Sequence, residues 1–178
     1  MTASELMHGR DWTGFDPTGW LIEEKFDGVR TLWDGRQFVS RNGNAFNAPD
    51  WFRAGLPTTP LDGELWAVNY AGLGVAVGTA RRHDAGELWR GLRFLVFDAP
   101  EVAAAYALRL AAAASTLARC EFARAVDAPV CESKEHLCAE FLSVRARGGE
   151  GLVLHNPRKP YTAGRAQGCV VKVKSMSR

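Results

Sequence analysis

Leu21–Lys25 reads as a first strand, and apolar and polar residues are interspersed over Val29–Trp33 and again over residues 36–41. Period-two alternation marks a strand with one buried face. Asp34-Gly35 separates the second and third segments, and an Asp-Gly pair between alternating runs predicts a tight hairpin. Residues 61–66, 73–78 and 92–98 are short apolar runs that read as further strands, and residues 49–54 read as one helical turn. From Pro100 the chain becomes alanine-rich, and a helix is expected to about residue 118. Ala is the strongest helix former, and Pro suits a first helical turn. Residues 121–126 read as strand, and Ser133 can cap a second helix that stops at Gly148-Gly149. Residues 151–155 and 168–174 complete the pattern as two strands. Strands outnumber helices and come as hairpins, which predicts an α+β fold of mainly antiparallel sheets flanked by helices.

The 178 residues suit a single domain over 1–178, and 47% apolar residues supply its core. Twenty-two basic against 20 acidic residues give a net charge of +2, too balanced to point to nucleic acid by itself. No apolar run approaches the roughly 18 residues of a membrane span. Residues 1–12 include His8, Arg10 and Asp11 and hold no signal-peptide apolar stretch, so a cytoplasmic protein is expected. No self-complementary apolar helix face stands out, and a monomer is expected. Cys120, Cys131, Cys138 and Cys169 form no C-x-x-C pair, and Cys131, His136 and Cys138 match no zinc spacing; they read as ordinary thiols. A phosphate-binding G-x-x-x-x-G-K-[ST] loop is absent, and Gly72, Gly74 and Gly78 are spaced one residue too widely for a dinucleotide fingerprint.

The informative charges are those threaded through strand sequence. Lys25 ends a strand and is followed at once by an Asp27-Gly28 break, where backbone turns and a ligand can approach. Taken alone, a lysine on a strand is ordinarily a solvated charge. Asp62 and Glu64, however, share one face of an otherwise apolar strand, and Glu150 heads another between Gly149 and Gly151. Lys172 and Lys174 alternate with Val170, Val171 and Val173 and so point to one side. Unpaired charge among strand-core residues is costly, so these acids and lysines are expected to compensate one another, or a polyanion and a metal ion.

Six segments occur in order: Lys25-x-Asp27-Gly28-x-Arg30, Ser40-Arg41-x-Gly43, Asp62-Gly63-Glu64, residues 94–98, Glu150-Gly151-Leu152 and Lys172-x-Lys174. The set resembles motifs I, Ia, III, IIIa, IV and V of the covalent nucleotidyltransferases, which include ATP-dependent DNA ligases, RNA ligases and mRNA capping enzymes. In detail it is most similar to the minimal bacterial ATP-dependent DNA ligases. The resemblance implies an adenylation domain in which Lys25 attacks the α-phosphate of ATP and becomes a lysyl-AMP phosphoramidate. A lysine of ordinary pKa is almost fully protonated at pH 7, so a nucleophilic one must be made easier to deprotonate. Lys172 and Lys174 would contribute to that while gripping the phosphates. The resemblance also implies that Glu150 and Glu64 associate with a divalent cation, Mg²⁺ or Mn²⁺. It places Glu64 and Arg30 against the ribose, Phe97 on the adenine ring, Glu23 at the adenine amino group and Asp27 as an organiser of the site. Arg41 would meet a terminal phosphate of the nucleic acid, with Arg81 and Arg82 as a second basic point.

The implied partner is nicked duplex DNA. Residues 156–178 suit one: Arg158, Lys159, Arg165, Lys172, Lys174 and Arg178 are accompanied by no acid, with Tyr161 nearby. Contacts to backbone phosphates require such a surface and weaken steeply with salt. Members of the family normally continue past motif V into an oligonucleotide-binding barrel that carries motif VI, whereas this sequence stops four residues after Lys174. The expectation is therefore ATP binding with slow self-adenylation and poor sealing alone, or a barrel supplied in trans. The K-x-D-G signature is equally compatible with an RNA ligase or a capping-type guanylyltransferase. A catalytically idle nucleotide- or DNA-binding remnant is the reading from outside enzymes.

Overall fold

The architecture is described from a computed structural model covering residues 5–68, 72–82, 84 and 86–176. Four strands form one sheet: β1 (Arg10–Asp11), β2 (Leu21–Lys25), β8 (Gly151–His155) and β9 (Val170–Val173), in the order β1-β9-β8-β2. Five form a second: β3 (Val29–Trp33), β4 (Phe38–Ser40), β5 (Leu61–Ala67), β6 (Leu92–Asp98) and β7 (Ala123–Ala125), in the order β4-β3-β5-β6-β7. Among the described strands only β1 with β9 and β6 with β7 pair in parallel. The expected α+β class with mainly antiparallel sheets is what the chain adopts.

Each sheet buries one face in its own core. Behind the first lies α4 (Lys134–Ala146), whose Leu137, Phe141 and Val144 recur at helical spacing and pack with Ile22, Leu152, Leu154 and Val173. Ser133 caps this helix by accepting a hydrogen bond from the His136 amide, and Gly148, at φ 90°, turns the chain out of it, as its sequence predicts. Behind the second sheet lie α1 (Asp50–Arg53), α2 (Gly72–Arg81), a short 3-10 helix (Gly86–Gly91) and α3 (Tyr106–Leu117). Aromatic rings fill that core: Phe38 packs edge-on to Phe94 at 4.9 Å and Phe52 to Trp89 at 4.8 Å. The opposite faces of the two sheets look into a shared cleft.

Three readings of the sequence need correction. Residues 73–78 belong to α2, not to a strand, and Ala76, Thr79 and Ala80 are its buried positions, packed toward β5. A short apolar run fits either element, and here small residues let a helix sit close on the sheet. Helix α3 begins at Tyr106, six residues later than Pro100. The backbone before it is engaged elsewhere: Ala105 bridges to Pro160, and the Ala104 carbonyl accepts from Arg109. Alanine propensity yields to those tertiary bonds. The 3-10 helix around buried Trp89, and β1, have no counterpart in the hydrophobic pattern. No described helix is long and apolar enough to cross a membrane.

Candidate active site

Strand register arranges the first sheet's cleft face in rows. Leu21, His155 and Val170 form one row; Glu23, Val153, Lys172 and Asp11 the next; Lys25 and Gly151 a third. Alternate residues of a strand share a face, so charge is graded along this surface from the Lys25 end to the apolar Val170 end.

Lys25 and Glu150 are joined by an ion pair, with the lysine side chain one-fifth exposed. Glu150 is held from behind by α4, because Arg145 donates to the carbonyls of Gly149 at 3.0 Å and Glu150 at 3.3 Å. Arg147 reaches Glu24, the neighbour of Lys25, at 2.7 Å. Two arginines at one helix end therefore brace the backbone at Glu150 and the side chain next to Lys25. Lys172 faces the same cavity. Burial holds its ammonium below the ordinary lysine value, and the positive charges of Lys174, Lys25 and Arg30 add to this. Lys174 stands half-exposed outside the cavity lining, with its Nζ 3.6 Å from Asp11.

The second sheet supplies the opposite wall. Arg30 and Glu64 are direct cross-strand partners. The Arg30 guanidinium grips Asp62 through Nε at 3.1 Å and Nη2 at 2.6 Å, and also donates to the Met7 carbonyl. Burial works against its charge, but the Asp62 carboxylate outweighs that and holds Arg30 firmly protonated. Burial pushes the Glu64 carboxyl up to about 8 despite Arg30 and Lys25 nearby. The register between β5 and β6 shifts at Asp62/Gly63, leaving Phe97 as the extra residue of a bulge. Such a bulge redirects a side chain, and Phe97 lines the cavity with Arg30 Cζ 5.2 Å from its ring centroid. Two motif glycines are required by close approach. A Cβ on Gly28 would stand 2.3 Å from the Leu65 carbonyl oxygen, and one on Gly63 2.5 Å from that of Leu95.

These walls enclose a cavity of about 280 Å³ lined by Lys25, Lys172, Arg30, Glu64, Glu23, Phe97 and Arg41 among others. Most of the residues singled out in the sequence thus meet in one place. Asp27 is exposed beside it. Arg81 and Arg82 are exposed at the end of α2, with Arg82 paired to Asp84 at 2.9 Å, and neither lines the cavity. Arg158, Lys159 and Arg165 are exposed, and Arg178 lies outside the described residues.

Several contributors escaped the sequence reading. Met7, His8 and Gly9 line the cavity from the segment leading into β1, and nothing in their composition signals it. His155 lies 3.1 Å from Glu23 and stacks on Tyr106 at 4.1 Å; a polar residue at an inward position of an apolar strand was the available hint. Arg109 is fully buried. It donates to both oxygens of Asp98 at 2.7 and 3.0 Å, and its alanine-rich helix gave no sign of this.

No protein-family model matches the chain. A DNA ligase of Haemophilus influenzae is 30% identical over 166 residues, covering 92% of this chain; the chain spans 61% of that relative's length. Among solved structures, a Lig E DNA ligase superposes with a TM-score of 0.87 at 27% identity, over 96% of this chain and 68% of that one. In sequence and in fold the chain is similar to DNA ligases over the part of them it spans. More distant ligases share the fold. Chlorella virus DNA ligase-adenylate has a TM-score of 0.78 at 17% identity, over 96% of this chain and 68% of that one. The bacteriophage T7 ligase in complex with ATP has a TM-score of 0.73 at 17% identity, over 98% and 69%.

Proposed function

We propose that this nucleotidyltransferase domain transfers AMP from ATP to Lys25 and passes it to the 5′-phosphate at a nick in duplex DNA. The observation that carries the reading is the convergence of Lys25, Lys172, Arg30, Glu64 and Glu150 around one cleft between two sheets. The Lys25 Nζ, once it has lost a proton, forms a bond to the α-phosphorus, and the bond from that phosphorus to the bridging oxygen breaks to release pyrophosphate. Attack needs the amine lone pair free, so the contact with Glu150 has to open as the nucleotide settles. Lys172 supplies positive charge for the phosphates, and Phe97 offers a ring face to the base. Glu23 would accept from the adenine amino group.

The donor set fits a divalent cation in a limited way. No group of three His, Cys, Asp or Glu side chains gathers among the described residues, so a cage made of protein alone is not offered. Mg²⁺ commonly takes one or two carboxylates and completes its shell with water and substrate phosphates, and partly exposed Glu150 suits that. Glu64, with its carboxyl near 8, is better suited to a sugar hydroxyl than to a metal. Bound there, Mg²⁺ or Mn²⁺ would neutralise charge on the phosphates. Exposed Arg41, Arg81 and Arg82 would meet the DNA backbone. We place the protein in the cytoplasm as a monomer, with residues 1–178 folding as one domain.

Intact-mass measurement after incubation with ATP and Mg²⁺ tests the reading. An acid-labile AMP adduct is expected on the parent chain and absent from Lys25→Ala. An adduct from GTP in place of ATP would redirect the assignment to a guanylyltransferase, and no adduct from either would refute nucleotidyl transfer.

A further inference from the structure

Glu23 is buried inside the sheet, 5% exposed, yet borders the cavity. Its Oε1 lies 3.1 Å from His155 Nε2, and its Oε2 lies 3.4 Å from the Tyr106 hydroxyl, a long contact. The imidazole and phenol rings are nearly parallel, 10° apart at 4.1 Å, so each fixes the other's orientation. His155 Nδ1 is buried and without a hydrogen-bond partner. A carboxylate is acceptor-only, so the proton of the imidazole sits on Nε2, facing Glu23. Tyr106 is held well above the ordinary phenol value, first by burial and then by Glu23 and Asp98, and stays a neutral donor.

Resting on the adenylyl-transfer reading, we propose that His155 and Tyr106 are positioning residues for nucleobase selection. Together they hold Glu23 as a fixed acceptor bordering the apolar end of the cavity, so that the site selects a purine carrying a 6-amino donor. A glutamate left to itself samples many rotamers. Two donors on rigid, mutually stacked rings reduce this one to a single orientation. The carboxylate has about four lone-pair sites, and the two rings occupy two of them. The row of His155 and Val170 lies beyond Glu23, on the side away from Lys25, so a triphosphate gripped near Lys25 and Lys172 leads its base toward this end. A 6-oxo group would oppose acceptor to acceptor there, and a 6-hydrogen would leave the lone pairs not used by the two rings without a donor.

The test measures binding in the Lys25→Ala background, where no adduct forms, using ATP, GTP and purine riboside triphosphate, which lacks the 6-amino group. The parent is expected to favour ATP by about tenfold or more over both, the range for a hydrogen bond to a charged group. His155→Phe keeps a ring on Tyr106 but removes the donor, and should bring the ratio to within about threefold of unity. His155→Gln restores an N–H donor and should recover most of the preference, which a role in packing alone would not produce. An unchanged ratio in His155→Phe, or no preference in the parent, overturns the inference. Should His155→Phe fail to fold by thermal unfolding, Tyr106→Phe decides: a reduced ratio supports the proposal and an unchanged one refutes it. The transfer reading fails separately, through a missing Lys25 adduct in the unsubstituted chain while the ATP preference persists.

Discussion

Replacing Arg109 with Met tests whether the wall behind the apolar end of the cavity depends on one buried ion pair. Arg109 has no exposed surface, and Asp98 is almost as deeply buried. The guanidinium donates to both Asp98 oxygens, to Ala104 O at 2.8 Å and to Lys159 O at 3.1 Å, and its Cζ lies 5.6 Å from the Tyr106 ring and 5.5 Å from that of Tyr161. It thereby ties α3 and the segment after β8 to the edge of β6. Met fills much of the volume but leaves Asp98 charged with one backbone donor, the Ala99 amide. Removing one member of a buried pair costs about 3–5 kcal/mol. In a chain of this length that lowers the melting temperature by roughly 6–20 °C. Urea unfolding of the parent, Arg109→Met, Asp98→Asn and the double variant closes the cycle. The double variant should be more stable than the two single losses summed, by about 1–3 kcal/mol, because Asn removes the stranded charge. Tyr106 carries His155, so ATP affinity should fall in Arg109→Met as well. A loss below about 1 kcal/mol, or strict additivity, would refute the argument that this pair organises the wall.

Other expectations follow from the same geometry. Gly28→Ala drives a methyl to 2.3 Å from the Leu65 carbonyl and should cost about 1–3 kcal/mol through backbone displacement, read by denaturant unfolding; an unaffected midpoint would contradict the required close approach. The Glu64 carboxyl is raised in the folded chain to about 8, so the folded state binds this proton more tightly than the unfolded state does. Its contribution to stability is complete below the unfolded value near 4.5 and is lost as pH rises through 8. Glu64→Gln should therefore gain stability relative to the parent between pH 5 and 8 and level off above, and a pH-independent difference would count against a carboxyl whose desolvation outweighs Arg30 and Lys25. Arg41→Ala should weaken DNA binding across sequences alike and lower the slope of log affinity against log salt by about 1, as loss of one phosphate contact requires; an unchanged slope would remove Arg41 from the DNA surface.

The sequence by itself determined most of the strand framework and singled out charged residues that the fold gathers around one cleft. The runs on either side of Asp34-Gly35 located β3 and β4, and a serine and a glycine pair located both ends of α4, since these signals depend on a strand's own faces or a helix's own termini. It also determined that Lys25, Glu64, Glu150 and Lys172 are out of place in ordinary strand cores, because burying charge demands compensation wherever the chain goes. Pattern could not determine how the rows align. Lys25 opposite Gly151, and Glu23 in one row with Lys172 across Val153, are consequences of register between strands far apart in the chain. The helix at 72–81 and the late start of α3 were likewise decided by what the rest of the chain offers as a surface. Only the folded molecule put Met7 against Arg30, Arg145 behind Glu150 and His155 against Glu23, since each contact joins segments whose local sequences hold no record of one another.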